Sequence, residues 1–195
     1  MIRHLEPLLK AKKILNVTAS WLIASTVLAV SSPVVAAQSA VILLYHHVAE
    51  DTPPSTSISP ANFEAHLRYL RDNNFKVIPL DQMIDSLRSG QSLPDKSVVI
   101  TFDDGYSSIF DEAFPLLQSY GYPFTLFLST EPIDAGLSNY ITWDQVRQMS
   151  TAGVIIANHM VDHPYMLEAR ENESAPQRLA RLEEDLLKAE QRIEA

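Results

Sequence analysis

Val98-Val99-Ile100-Thr101-Phe102 is β-branched and aromatic without polar alternation, and it stops abruptly at Asp103-Asp104-Gly105. An apolar run of this kind suits a strand buried on both faces of a parallel sheet, which points to an α/β architecture. The two carboxylates then sit at the carboxyl end of that strand, the edge where α/β sheets and barrels place their chemistry. Adjacent carboxylates repel one another unless something positive lies beside them. One is therefore expected to ligate a cation while its neighbour moves protons. The structural alternative is a plain turn, with Asp104 capping the helix expected over Tyr106 to Tyr120.

A second apolar run, Val41 to Val48, reads as a continuous central strand ending in His46 and His47. Successive residues of a regular strand face opposite sides, so at most one of these histidines faces a site. A third, Val154 to Ala157, leads into Asn158-His159-Met160-Val161-Asp162-His163. Two histidines four apart can close on one metal ion in a compact loop. Alone that is a weak signal. Parallel strands bring their carboxyl ends to one rim, however, and here one end offers carboxylates and another imidazoles.

Between these runs the chain alternates short strands (Phe75 to Leu80, Pro123 to Ser129) with helical stretches. Ser59-Pro60 opens a helix carrying Phe63, Leu67 and Leu70; Asp81 opens another that stops at Gly90; a third covers Thr142 to Thr151. The alternation implies βαβ units, in a barrel or a doubly wound sheet. Asp51 to Pro60 reads as a loop, His66 as a surface or packing residue, and the tail from Pro176 as a charged helix with an apolar stripe of Leu179, Leu182, Leu186 and Ile193. Such a sheet rarely ends on a helix with no strand after it, so the sequence is expected to be incomplete at Ala195.

Residues 1 to 37 read as a secretory signal: a basic segment with Arg3, Lys10, Lys12 and Lys13, a mostly apolar run, and small residues at Val35-Ala36-Ala37. The alternative is a retained membrane anchor, the one way this chain would meet a membrane. Both place residues 38 to 195, read as one domain, outside the cytoplasm, in the periplasm, the cell envelope or the medium. A net charge of −9 argues against a nucleic-acid partner, and the absence of cysteine removes thiolate ligands and thiol nucleophiles.

Thr101-Phe102-Asp103-Asp104-Gly105 followed by His159-x-x-x-His163, with Tyr106, Tyr120-Gly121-Tyr122-Pro123 and Trp143, resembles the polysaccharide deacetylases of carbohydrate esterase family four, the NodB-homology domain. The resemblance implies a distorted (β/α) barrel that holds a divalent metal, usually zinc, and removes acetyl groups from acetylated sugars. It assigns Asp103 as general base and Asp104, His159 and His163 as metal ligands. Tyr45-His46-His47-Val48 resembles the opening of the exported subgroup that de-N-acetylates poly-N-acetylglucosamine, and there His46 takes the general-acid role. The implied partner is an N-acetylated polysaccharide. One departure stands out: the family has Ser or Thr after the first histidine, where this chain has Met160, so a looser ligand geometry is expected. A non-catalytic glycan-binding domain or an inactive truncated remnant is the rival reading.

Overall fold

The computed structural model describes residues 39–195; the segment read as a secretory signal lies outside them. Five strands form one parallel sheet. β1 (Val41–Tyr45), β4 (Lys76–Val77), β5 (Ser97–Phe102), β6 (Thr125–Leu128) and β7 (Ile155–Asn158) run in the order β1-β5-β6-β7, with β4 also paired to the start of β5. Two short strands, β2 (His47–Val48) and β3 (Ser57–Ile58), pair apart from it. The helices are α1 (Pro60–Asp72), α2 (Leu80–Ser89), α3 (Phe114–Tyr120), which continues a π-helical turn over Ile109–Ala113, α4 (Thr130–Asp134), α5 (Trp143–Thr151) and α6 (Ala175–Ile193). No helix among the described residues is long and apolar enough to cross a membrane.

Local chemistry sets most helix ends. Ser59 accepts the Asn62 N–H at the start of α1, Thr142 and Gln145 form a capping box on α5, and Gly90 ends α2 at φ +67°. Asp81 lies inside the first turn of α2, whose cap position is Pro79.

All six residues of β5 are buried, as its unalternating sequence requires. Val98, Ile100 and Phe102 join the main core with Phe63 and Leu67 of α1, Leu117 of α3, Leu126 and Leu128 of β6, and Met149 of α5. Val99 turns the other way, into a smaller cluster with Ile78, Met83 and Leu93. The period-2 alternation therefore carries Thr101 and Asp103 to the side opposite the main core. There they line a cavity of about 310 Å³ with Ile42, Leu44, Leu80, Phe127 and His159.

Two expectations are corrected. The run from Val41 to Val48 is not one strand: its ladder with β5 ends when the Asp103 N–H reaches the Tyr45 carbonyl (3.0 Å), and His46 bends the chain toward β3, where the His47 N–H meets the Thr56 carbonyl (3.1 Å). Nor is β1 central. Among the described residues it pairs with β5 alone, and Val41, Ile42 and Leu44 are 58, 47 and 54 % exposed. An apolar run reports the burial a strand is suited to, not the neighbours it has. Of the expected, incomplete barrel, the described residues form an open parallel sheet, with β1 and β7 each paired on one side.

Candidate metal centre

The site is built where β5 and β7 end. After Phe102 the backbone turns through two consecutive left-handed residues, Asp104 at φ +71° and Gly105 at φ +88°. Glycine is required at the second for two reasons. The conformation disfavours a side chain, and a Cβ there would stand 2.9 Å from Leu128 Cδ2. The Gly105 N–H closes the turn on the Asp103 carbonyl (2.9 Å), and the Gly105 carbonyl accepts the Ile141 N–H (3.0 Å). Asp104 does not cap the helical segment that follows; its carboxylate turns to the histidines.

At the end of β7 the His159 N–H bonds the Leu128 carbonyl of β6 (2.9 Å), carrying the sheet one residue further. Met160 (φ +70°) and His163 (φ +52°) then adopt left-handed backbones. Non-glycine residues in that region cost energy and cluster at functional sites. His159 Nε2 stands 3.4 Å from Asp104 Oδ1 and 4.0 Å from Asp103 Oδ2, and His163 Nε2 stands 3.9 Å from Asp104 Oδ1. The two imidazole centroids are 4.6 Å apart.

Asp104, His159 and His163 each offer one ligand atom, all within 4.8 Å of one another. Ligand atoms about 2.1 Å from a tetrahedral ion lie roughly 3.4 Å apart, so small side-chain adjustments would let these three hold one. His159 Nε2 adds a second observation: it is buried and has no hydrogen-bond partner, an arrangement that costs free energy unless the nitrogen has another use. The residues fit a divalent cation, with coordination positions left over for water and substrate.

The neighbouring carboxylates differ electrostatically. Burial raises the Asp103 carboxyl above its ordinary range, a shift only partly opposed by His159 and His46, and the Asp104 charge adds to it. Burial acts on Asp104 as well, but close contact with His159 and the fields of His159, His163 and His46 outweigh it and hold Asp104 below the ordinary value. His159 is raised by the Asp104 contact against the opposing effect of burial. Environments that push two carboxylates apart in this way separate a group that stays ionised from one suited to proton transfer.

The structure thus brings Asp104, His159 and His163 together and puts Asp103 beside them, outside the three-residue cluster. His46 follows the last β1 residue paired to β5 and lies near enough to bias both aspartates. His66 is exposed on α1, its Nδ1 3.0 Å from the Tyr45 hydroxyl. Sequence reasoning missed the support behind Asp104, where buried His47 stacks on Tyr106 (3.6 Å) and Tyr106 packs at a tilt against Tyr140 (4.8 Å). It also missed the hold on the histidine loop. Asn158 Oδ1 accepts the Met160 N–H (2.7 Å), and the first amides of α4, Thr130 and Glu131, donate to the carbonyls of Met160 (3.2 Å) and Val161 (2.9 Å). The loop is therefore fixed through its backbone, without a hydroxyl at position 160. Only the sequence Asn158-His159 hinted at this, asparagine being a residue that bonds its own backbone two residues on.

Residues 90–195 match the family model described as Polysaccharide deacetylase. Over 145 residues the chain is 26 % identical to the poly-beta-1,6-N-acetyl-D-glucosamine N-deacetylase of Escherichia coli K12, an alignment covering 66 % of this chain and 22 % of that protein. It is 31 % identical over 116 residues to the protein of the same name from Staphylococcus epidermidis, covering 52 % and 39 %. The solved structure of IcaB from Ammonifex degensii superposes with a TM-score of 0.67 at 25 % identity, over 79 % of this chain and 67 % of that one. The chain spans less than half the length of the curated relatives it matches. With more than half of its residues matched by the family model, and an aspartate and two histidines gathered at the ends of two parallel strands, the chain belongs to the polysaccharide deacetylase family.

Proposed function

We propose that the chain is a metal-dependent hydrolase that removes N-acetyl groups from an exported or cell-envelope polysaccharide of the poly-N-acetylglucosamine type. The observation that carries this reading is the convergence of Asp104, His159 and His163 within 4.8 Å, with Asp103 4.0 Å from His159. The names of the Escherichia coli and Staphylococcus relatives support the substrate class. Two imidazoles and a carboxylate suit zinc. The basic and apolar N-terminal sequence supports export.

When bound, a divalent cation supplies Lewis-acid activation of water and neutralisation of charge developing on the acetyl oxygen. Asp104, His159 and His163 would hold it. Asp103, whose burial moves its basicity toward neutral pH, takes a proton at a carboxylate oxygen from the water that attacks the acetyl carbon. His46 delivers a proton to the amide nitrogen as the carbon–nitrogen bond breaks, so that acetate and a free amine leave.

The rival reading, a domain that binds glycan without turnover, would use the same cavity beside Asp103, where Ile42 and Leu44 are exposed. Metal stoichiometry measured with acetate release from poly-N-acetylglucosamine separates the two. One bound zinc with acetate release that His163→Ala abolishes supports the hydrolase. Glycan binding with neither metal nor acetate supports the remnant.

A further inference from the structure

The segment from His159 to His163 is not regular secondary structure, so its backbone groups must find partners outside a ladder. Most of these partners belong to the adjoining strand ends and to α4: Leu128, Asn158, Thr130 and Glu131. Val161, midway between the two histidines, is different. Its N–H donates to Asp185 Oδ2 at 2.9 Å, from a residue 24 positions away on α6. The Val161 N–H therefore depends on one side chain of α6, while its carbonyl accepts the Glu131 N–H (2.9 Å).

That helix is firmly seated. Asn158 Nδ2 donates to the Leu186 carbonyl (2.9 Å) and to Glu190 Oε2 (2.8 Å), joining α6 to the end of β7. Arg181 makes a two-pronged pair with Glu173 (2.7 and 3.0 Å), which braces the turn leading into α6. Arg192 bonds Asp134 of α4 (2.7 Å) and lies over the Trp143 ring (4.4 Å). A half-buried carboxylate on so anchored an element can hold a loop in place, and a charge-assisted bond from a backbone N–H is among the stronger kinds.

We propose that Asp185 is a positioning residue for the metal loop, fixing Val161 and through it the separation of His159 and His163. The inference rests on the metal-site reading above. Outer partners of metal ligands typically change affinity by tenfold or more when removed. The tail helix is then part of the metal site rather than an appendage to it.

The test uses the whole chain, with zinc affinity measured by competition against a chromogenic chelator and exchange of the Val161 amide followed in the absence of metal. Asp185→Ala should weaken zinc binding roughly tenfold and release the Val161 amide, while amides of β5 stay protected. Asp185→Asn retains an acceptor oxygen and should stay close to wild type in both. Glu183→Ala, exposed on the same helix, should change neither. The proposal is overturned if Asp185→Ala keeps wild-type zinc affinity, if Asn fails as badly as Ala while Val161 stays protected, or if Val161 exchanges freely in the wild-type protein, a result that stands even if the alanine variant does not fold. Wild-type protein that takes up no zinc overturns the metal-site reading itself and this role with it; zinc binding unaltered in Asp185→Ala overturns the role alone.

Discussion

The ring of His47 lies flat against that of Tyr106, with centroids 3.6 Å apart and planes 26° from parallel. Asp104 is near enough to both that its charge raises each toward the protonated form. His47 is a buried wall behind the aspartate. Its depressed pKa, caused first by burial and next by His46, keeps it neutral and suited to stacking. His47→Ala should cost about 2 kcal/mol through the lost stack and the space left behind. For a chain of this size that is a fall of about 4–8 °C in Tm, and His47→Phe should recover most of it. An alanine variant that melts with the wild type would show that the stack carries no stability.

His46, one residue earlier, is assigned a chemical role and should behave oppositely. His46→Ala should lower acetate release by roughly 10²–10⁴-fold, the usual contribution of a positioned acid, with zinc content and Tm little changed. Loss of zinc in that variant would make His46 a ligand rather than a proton donor.

The pKa directions predict how protons compete for the site. The Asp104 contact raises His159 above its ordinary value, so it holds its proton more strongly before metal binds. Zinc uptake near pH 6.5 should therefore release protons from this residue. Calorimetry in buffers of different ionisation enthalpy measures the release; a value near zero would sink the assignment. For the protein without metal the signs differ by residue. The raised pKa of His159 stabilises the fold fully below 6.5, an effect lost as pH rises through the folded value. The lowered pKa of His47 contributes above 6.5 and is lost as pH falls through its folded value. Asp104, also lowered, contributes above its ordinary 3.8 and loses that contribution in acid. Near pH 6.5 the two histidines oppose one another, and in acid the loss from Asp104 is opposed by Asp103, whose raised pKa contributes below its ordinary 3.8 and is lost as pH rises through the folded value.

Gly105 and Gly90 have similar backbones, at φ +88° and +67°, but different surroundings. Alanine at Gly90 meets nothing within 4 Å, so Gly90→Ala should cost only the conformational term, about 1–2 kcal/mol. Gly105→Ala adds the 2.9 Å encounter with Leu128 Cδ2 and displaces the neighbouring Asp104. It should therefore lose clearly more stability, and zinc affinity as well. Equal urea midpoints for the two variants would mean that the turn yields without strain.

Much of this site was legible because strands β5 and β7 announce themselves. Val98 to Phe102 has no polar alternation, and the polar residues after it and after Ile155–Asn158 must then fall on one rim. The cap at Ser59 and the stop at Gly90 were readable for equally local reasons. What escaped depends on contacts far apart in the chain. The edge position of β1 is a fact about its partners, and the pairing of Ser57–Ile58 with His47–Val48 lies in a stretch whose Pro, Ser and Thr content reads as loop. The work of α6 was hidden because Asp185 looks like one more charge on a solvated helix. Its significance comes from a single backbone amide 24 residues away.

Met160 was expected to loosen the ligand geometry for want of a hydroxyl. Yet its N–H is bonded to Asn158 and its carbonyl to Thr130, so a serine hydroxyl would meet a loop whose backbone is already tied. Met160→Ser should accordingly shift zinc affinity by less than the several-fold that one added net hydrogen bond of about 1 kcal/mol would give. The strain at this position is conformational, at φ +70°. Met160→Gly, which removes that strain while leaving both backbone bonds in place, should keep zinc affinity and relieve about 1 kcal/mol of backbone cost, set against the entropy glycine adds to the unfolded chain. Asn158→Ala removes the acceptor of the Met160 N–H and should weaken zinc binding more than either change at 160. If Met160→Ser binds zinc markedly tighter while Asn158→Ala is neutral, the loop is governed by its missing hydroxyl after all and not by the bonds of its backbone.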